Sequence, residues 1–178
     1  MSSPLLDVGH VVRTDAGLAG LWQPEGFADV LGLDDWEDRV SDNVALEQRI
    51  AGGLFVPLNV GGDGSWQVMV RSGGLSDREA QYLLVASDPY LLESLGVVEL
   101  GGLENVGGYV GGGIRVPLAA GRYRVQVNLV DWDAEPGSRT SDGSPAADAL
   151  ADFVVLVTPE AHPSQGYRTS VETFERPS

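Results

Sequence analysis

Residues 113–131 constrain the fold more than any other stretch, because apolar side chains take every second position along it. Ile114, Val116 and Leu118 alternate up one arm, Tyr123, Val125, Val127 and Leu129 up the other, and Arg122, Arg124, Gln126 and Asn128 fill the places between. A period of two puts the apolar set on one face of an extended chain. Ala119, Ala120 and Gly121 separate the arms, and Gly can supply the positive φ that a short hairpin loop demands, so the stretch reads as a β-hairpin. A half-buried hairpin needs a second layer.

An internal repeat points to that layer. Residues 54–60 and 65–71 read as a second hairpin joined by Gly61, Gly62, Asp63 and Gly64. Gly53-Leu54-Phe55-Val56-Pro57-Leu58 matches Gly113-Ile114-Arg115-Val116-Pro117-Leu118, and Trp66-Gln67-Val68-Met69-Val70 matches Tyr123-Arg124-Val125-Gln126-Val127. Residues 80–87 align in turn with the apolar run at 151–158. Two similar β units that each need cover most simply cover one another, which predicts an all-β protein, an antiparallel β-sandwich of about eight to ten strands. Pro57 and Pro117 offer no N–H to a neighbouring strand and belong at an edge or a bulge.

The remaining segments fit around these units. Residues 8–14, 44–50 and 95–100 read as strands, Pro24 and Glu25 open short helical turns near the N-terminus, and residues 105–113 read as a turn with a short strand around Tyr109. Residues 132–148 form a loop long enough to be functional or disordered. After Pro159 the chain turns polar and reads as a loosely attached tail on a β core spanning about residues 8–158. The length, 178 residues, fits one domain, which buries roughly 70% of its unfolded surface.

Composition narrows the function. With no Cys there are no disulfides, thiolate metal sites or thiol nucleophiles, in keeping with a cytoplasmic bacterial protein. Residues 1–12 carry neither a basic residue nor a signal-peptide core, and no segment approaches the ~20 apolar residues of a membrane-spanning helix. The 26 acidic residues outnumber 11 basic ones, all Arg, for a net charge of −15. So negative a surface repels phosphate backbones and anionic membranes. It either keeps the chain soluble or steers a basic partner.

Catalytic signatures do not emerge. His10 and His162 sit at no metal-ligand spacing and beside no nucleophile pattern, and P-loop, G-x-G-x-x-G and G-x-S-x-G motifs are lacking. Asp131, Asp133, Glu135 and Asp142 occupy positions one, three, five and twelve of a calcium-hand spacing, but Pro136 stands where that loop needs Gly and the twelfth residue is not Glu. The bland alternative is a solvated acidic loop. No cofactor is expected.

Val116-Pro117-Leu118, the Gly121-x-Tyr123-x-Val125 arm, the acidic loop at Asp131 to Glu135 and Ala151-Asp152 before the last strand together resemble competence protein J, a small acidic bacterial inhibitor of a DNA-entry nuclease, and little acidic β-sandwich proteins like it. The resemblance implies an antiparallel β-sandwich with an inhibitory or immunity-type role. The leading expectation is a non-enzymatic protein that neutralises a basic bacterial protein such as a nuclease or toxin. Two clusters place an aromatic ring among carboxylates, as interface anchors do: Asp131, Trp132, Asp133 and Glu135, and Asp34, Asp35, Trp36, Glu37 and Asp38. Trp36 reads equally well as a core residue, and Trp132 as a cap on the sheet end. The alternatives are a carbohydrate- or calcium-binding module, with Trp36 or Trp132 stacking on a sugar, and an assembly subunit using a sheet edge.

Overall fold

A computed structural model describes residues 6–163 and 165–174. Residues 1–5 of the N-terminal stretch, and residues 164 and 175–178 of the polar tail, lie outside the described residues. The strands are β1 (Asp7–Thr14), β2 (Ala19–Trp22), β3 (Phe55–Leu58), β4 (Gly64–Arg71), β5 (Leu83–Ala86), β6 (Tyr90–Gly102), β7 (Ile114–Val130) and β8 (Phe153–Pro159). They form one sheet in the order β1-β4-β8-β7-β6-β2-β3, with β5 also on β7. The sheet is mixed: β4 and β8 run parallel and the other pairs antiparallel. It coils so that β1, at one edge, lies against β6 and β2. Sheet dominance agrees with the sequence pattern, but the described strands form this one coiled sheet and not two stacked antiparallel ones.

The expected hairpin at 113–131 is a single strand of 17 residues. Ser94 of β6 pairs with Gly121 and Gly96 pairs with Leu118, so Ala119 and Ala120 together face Leu95 alone. That is a β-bulge, and its one extra residue shifts the side-chain parity. Even-numbered Val116 and Leu118 and odd-numbered Tyr123, Val125, Val127 and Leu129 are therefore all buried on one side. A turn and a bulge leave the same mark in the alternation. Pro117 falls in the half of β7 that pairs with β6 but precedes the β8 ladder, and Pro57 lies on edge strand β3, so both prolines occupy places where a missing N–H breaks no inner ladder.

The second expected hairpin also dissolves. β3 pairs with β2, while β4 pairs with β1 and β8. Residues 44–50 are helical: α2 (Asn43–Ala51) starts where the Asp42 carboxylate accepts the Ala45 N–H at 2.9 Å, and Leu46 and Ile50 bury one face four residues apart. Val44, which fed the strand pattern, is 65% exposed. Part of the run at 80–87 is helix as well, because Ser76 and Glu79 form a capping box at the start of α3 (Asp77–Gln81). Residues 105–113 hold a turn around Tyr109 and no strand.

The second layer comes from residues 24–51. Every residue of β2 and β3 is buried, so these strands are covered on both faces. One face joins the coiled interior. The other carries Trp22 and Phe55, stacked at 6.2 Å, with Phe27 edge-on to Phe55 at 6.3 Å and Val30, Val40, Leu46 and Ile50 buried in the same core. Gly20 is required here, since a Cβ would stand 2.3 Å from the Phe55 ring.

The segment after β8, read as a loose tail, returns across the sheet. Arg168 N–H donates to Pro89 O at 2.9 Å, the Tyr90 hydroxyl donates to Ser170 O at 2.8 Å, and Phe174 packs edge-on against Phe153. One buried aromatic anchors a polar stretch that composition alone marks as free.

Deleting Ala120 tests the bulge. Without the extra residue, either 114–118 or 123–129 turns its apolar set to solvent, and destabilisation of about 3 kcal/mol or more, roughly 10 °C in melting temperature, is expected. Deleting exposed Ala147 should change little. A chain that tolerates both deletions equally would mean that residues 119–121 behave as an ordinary loop.

Candidate protein-binding face

The acidic segment at 34–38 is held by its neighbours more than by its own helix. α1 (Leu33–Trp36) is one short turn that runs into a π-helical turn (Glu37–Ser41), with Val40 fully buried beneath. The Trp36 indole N–H donates to Leu103 O at 2.9 Å, and its ring lies 5.8 Å from that of Tyr109. Trp36 is thus a half-buried tether between this turn and the loop after β6. The Gly108 N–H donates to Val30 O at 2.8 Å and closes the two loops together.

The surface so assembled is mixed. Leu31 is 76% exposed, Leu33 45%, Tyr109 42% and Val110 57%, a large share of the exposed apolar side chains among the described residues. Asp34, Glu37 and Asp38 are exposed among them and make no ion pair or side-chain hydrogen bond within the described residues. Asp35 turns back, accepting the Leu31 N–H at 3.1 Å with Arg39 at 3.9 Å. The nearby cations serve Asp29: Arg39 reaches it at 3.1 Å and Arg49 at 2.9 Å. Burial raises the Asp29 carboxyl, but the bond and charge of Arg49 outweigh it and hold it below the ordinary aspartate range.

The cluster at 131–135 is built differently. Trp132, in the 3₁₀ turn Trp132–Ala134, donates its N–H to Asp152 at 3.0 Å, and the Arg139 guanidinium sits 5.5 Å from its ring centre. Arg139 also forks onto both oxygens of Asp133, one at 2.6 Å. Glu135 accepts a similar fork from Arg78 of α3, one bond at 2.9 Å, and Arg78 donates further to Asp148 O at 3.1 Å. The Asp142 carboxylate takes the Thr140 hydroxyl and the Ser144 N–H, so Asp133, Glu135 and Asp142 of the calcium-like spacing have separate partners. Asp131 is fixed through its backbone N–H to Tyr82 O at 2.8 Å.

Sequence reasoning named both acidic clusters but saw neither the arginines that engage one nor the apolar residues that surround the other. Arg78 is 57 residues from Glu135 in the chain. Leu31 and Leu33 did leave a signal, as apolar residues directly before the acidic run at 34–38, whereas Tyr109 and Val110 stand in a Gly-rich stretch that read as a turn with a short strand.

The Arg78–Glu135 bond holds the Glu135 carboxyl below the ordinary glutamate range. A folded-state pKa lowered in this way stabilises the fold above the unfolded value, and that contribution is lost as pH falls through the folded one. Hydrogen exchange across residues 132–148, corrected for its intrinsic pH dependence, should therefore quicken on acidification below the ordinary glutamate range. Glu135→Gln should show the quickening already at neutral pH. Unchanged protection in that variant would mean the pair does not fasten the loop.

No family model matches the chain, and no curated protein matches it. Two solved structures share its fold. One, described as crocagin biosynthetic gene J, superposes with a TM-score of 0.57 at 14% identity, covering 90% of this chain and 99% of its own. The other is ComJ of Bacillus subtilis, inhibitor of the DNA degrading activity of NucA, with a TM-score of 0.51 at 7% identity over 89% of this chain and 100% of its own. The chain therefore has the sheet-dominated fold seen in a nuclease inhibitor and in a biosynthetic protein.

Proposed function

We propose that this chain is a binding protein and not an enzyme, and that it inhibits a basic protein partner, such as a nuclease, by docking on it with the face formed by residues 31–38 and 107–110. The observation that carries the reading is the company kept by Asp34, Glu37 and Asp38: three exposed carboxylates with no ion pair among the described residues, beside exposed Leu31, Leu33, Tyr109 and Val110. Such a face offers a partner's arginines and lysines the charge that nucleic acid would offer, with apolar anchors at its centre. The net charge of −15 adds long-range attraction for a basic surface. Likeness to the fold of ComJ, itself an inhibitor, supports the same role.

On this reading the two acidic clusters divide the work. Asp133 and Glu135 are engaged by Arg139 and Arg78, so the cluster with Asp131 and Trp132 fastens its loop and adds at most a rim contact. The primary contact belongs to Asp34, Glu37 and Asp38, with Trp36 holding the turn in place.

Association kinetics with a basic nuclease captured from the native host test the assignment. Neutralising Asp34, Glu37 and Asp38 together should slow association about tenfold and flatten its salt dependence, because exposed charges act through a field screened within about 8 Å at physiological ionic strength. Tyr109→Ala should instead speed dissociation at a cost of about 2 kcal/mol. Added at equimolar ratio, the wild-type chain should stop DNA cleavage. The reading fails if the variants bind as wild type, or if a bound nuclease stays fully active.

A further inference from the structure

We infer that the cleft on the outer face of β7 and β8 is a binding site for a small organic carboxylate, with Arg124 as its counter-charge. The cleft holds about 530 Å³, within the range of small-molecule sites. Arg124 and Thr158, paired directly across β7 and β8, form its floor. Pro89 and the returning segment, through His162, Gln165 and Tyr167, form its walls.

The electrostatics of the floor favour an anion in spite of the acidic whole. Arg39, Arg49, Arg71, Arg78, Arg122, Arg139 and Arg168 all meet carboxylates. Arg124 makes no ion pair or side-chain hydrogen bond within the described residues. The one acidic residue among the described residues lining the cleft is Glu160, and it is already engaged: Arg122 donates to it at 3.0 Å, and the Tyr167 hydroxyl donates to its other oxygen. Arg122 also holds Glu93 at 2.8 Å. Arg122 and Arg124 lie two positions apart on the same outward face of β7, so Glu93 and Glu160 answer to Arg122 and Arg124 is left without an ion pair among the described residues.

The remaining lining selects the anion. A guanidinium fork matches the two oxygens of a carboxylate, and the Thr158 hydroxyl and the Gln165 amide supply further donors. Pro89 and the Tyr167 ring offer apolar surface to the rest of the molecule. A phosphate dianion would carry twice the charge into the same half-apolar cleft beside Glu160, at a larger desolvation cost. The site is remote in sequence from the face at 31–38 and does not rest on the inhibitor reading.

Titration of the full chain with benzoate tests the site, with benzylamine as a cation of the same shape and phenyl phosphate as the competing anion. Benzoate should bind with a Kd on the order of millimolar or below and shift the Arg124 side-chain N–H resonance. Arg124→Gln should weaken benzoate at least about tenfold, while its melting temperature without ligand stays within about 2 °C, since an exposed arginine without a partner adds little to stability. The assignment is overturned if benzoate leaves the Arg124 resonance unmoved, if the variant binds benzoate as wild type does, or if benzylamine binds as well. Tighter binding of phenyl phosphate would overturn the choice of carboxylate.

Discussion

The pairing of β6 with β7 carries the rest of the molecule. These are the two longest strands, 13 and 17 residues, and they run antiparallel through most of their length. β2 and β3 attach through β6, and β8, β4 and β1 attach through β7. A flat pair of this length would leave its two halves too far apart to share one core, since an extended residue rises about 3.3 Å. The bulge at Ala119 and Ala120 is the local irregularity that bends and twists such a strand while keeping Tyr123, Val125, Val127 and Leu129 on the same side as Val116 and Leu118. Buried Ser94 secures the same place by donating its hydroxyl to Leu118 O at 2.6 Å and accepting the Gly96 N–H at 3.0 Å.

That arrangement also decides where a binding face can form. The β2–β3 end of the sheet is short and apolar on both sides, so it needs a cover, and residues 24–51 supply one from short helical turns. Short turns leave side chains that no regular element buries, and Leu31 and Leu33 are among them. Trp36 then ties this cover to Leu103 and Tyr109, which follow β6. The candidate face is therefore a by-product of how one sheet end is closed, with the Trp36 and Gly108 hydrogen bonds bringing its carboxylates and apolar groups together.

Arginine use sets the charge that a partner meets. With no lysine in the chain, each cation is a planar fork suited to carboxylates, and most are engaged at home. Arg71 is the most deeply set example: it bonds Asp7 at 3.0 Å and Glu79 at 2.5 Å, with Glu79 buried. Burial raises the Glu79 carboxyl, yet the Arg71 bond and the Ser76 N–H hold it below the ordinary glutamate range. Consuming cations in this way leaves Arg13, Arg115 and Arg124 as the arginines without an ion pair among the described residues, on a surface dominated by acids.

The sequence by itself determined which side chains face inward along β7, because alternation is local and burial of Val116, Leu118, Tyr123 and Val125 follows from it directly, and it marked β8 only as a continuously apolar run, of which Val154 and Val155 are both buried. It also determined the net charge and the two acidic clusters. Only the tertiary structure decided that residues 119–121 are a bulge, since a bulge and a turn shift parity alike and the choice depends on whether β6 is there to pair with both halves. It decided that β4 lies parallel to β8, and that Asp42 and the spacing of Leu46 and Ile50 make a helix where alternation read a strand, because the helix has a sheet end to cover. It decided, too, which carboxylates are spoken for. Asp133 and Glu135 look no different in the sequence from Asp34 and Glu37; what separates them is the arrival of Arg139 and Arg78, and that depends on how the chain folds back and not on the residues beside each acid.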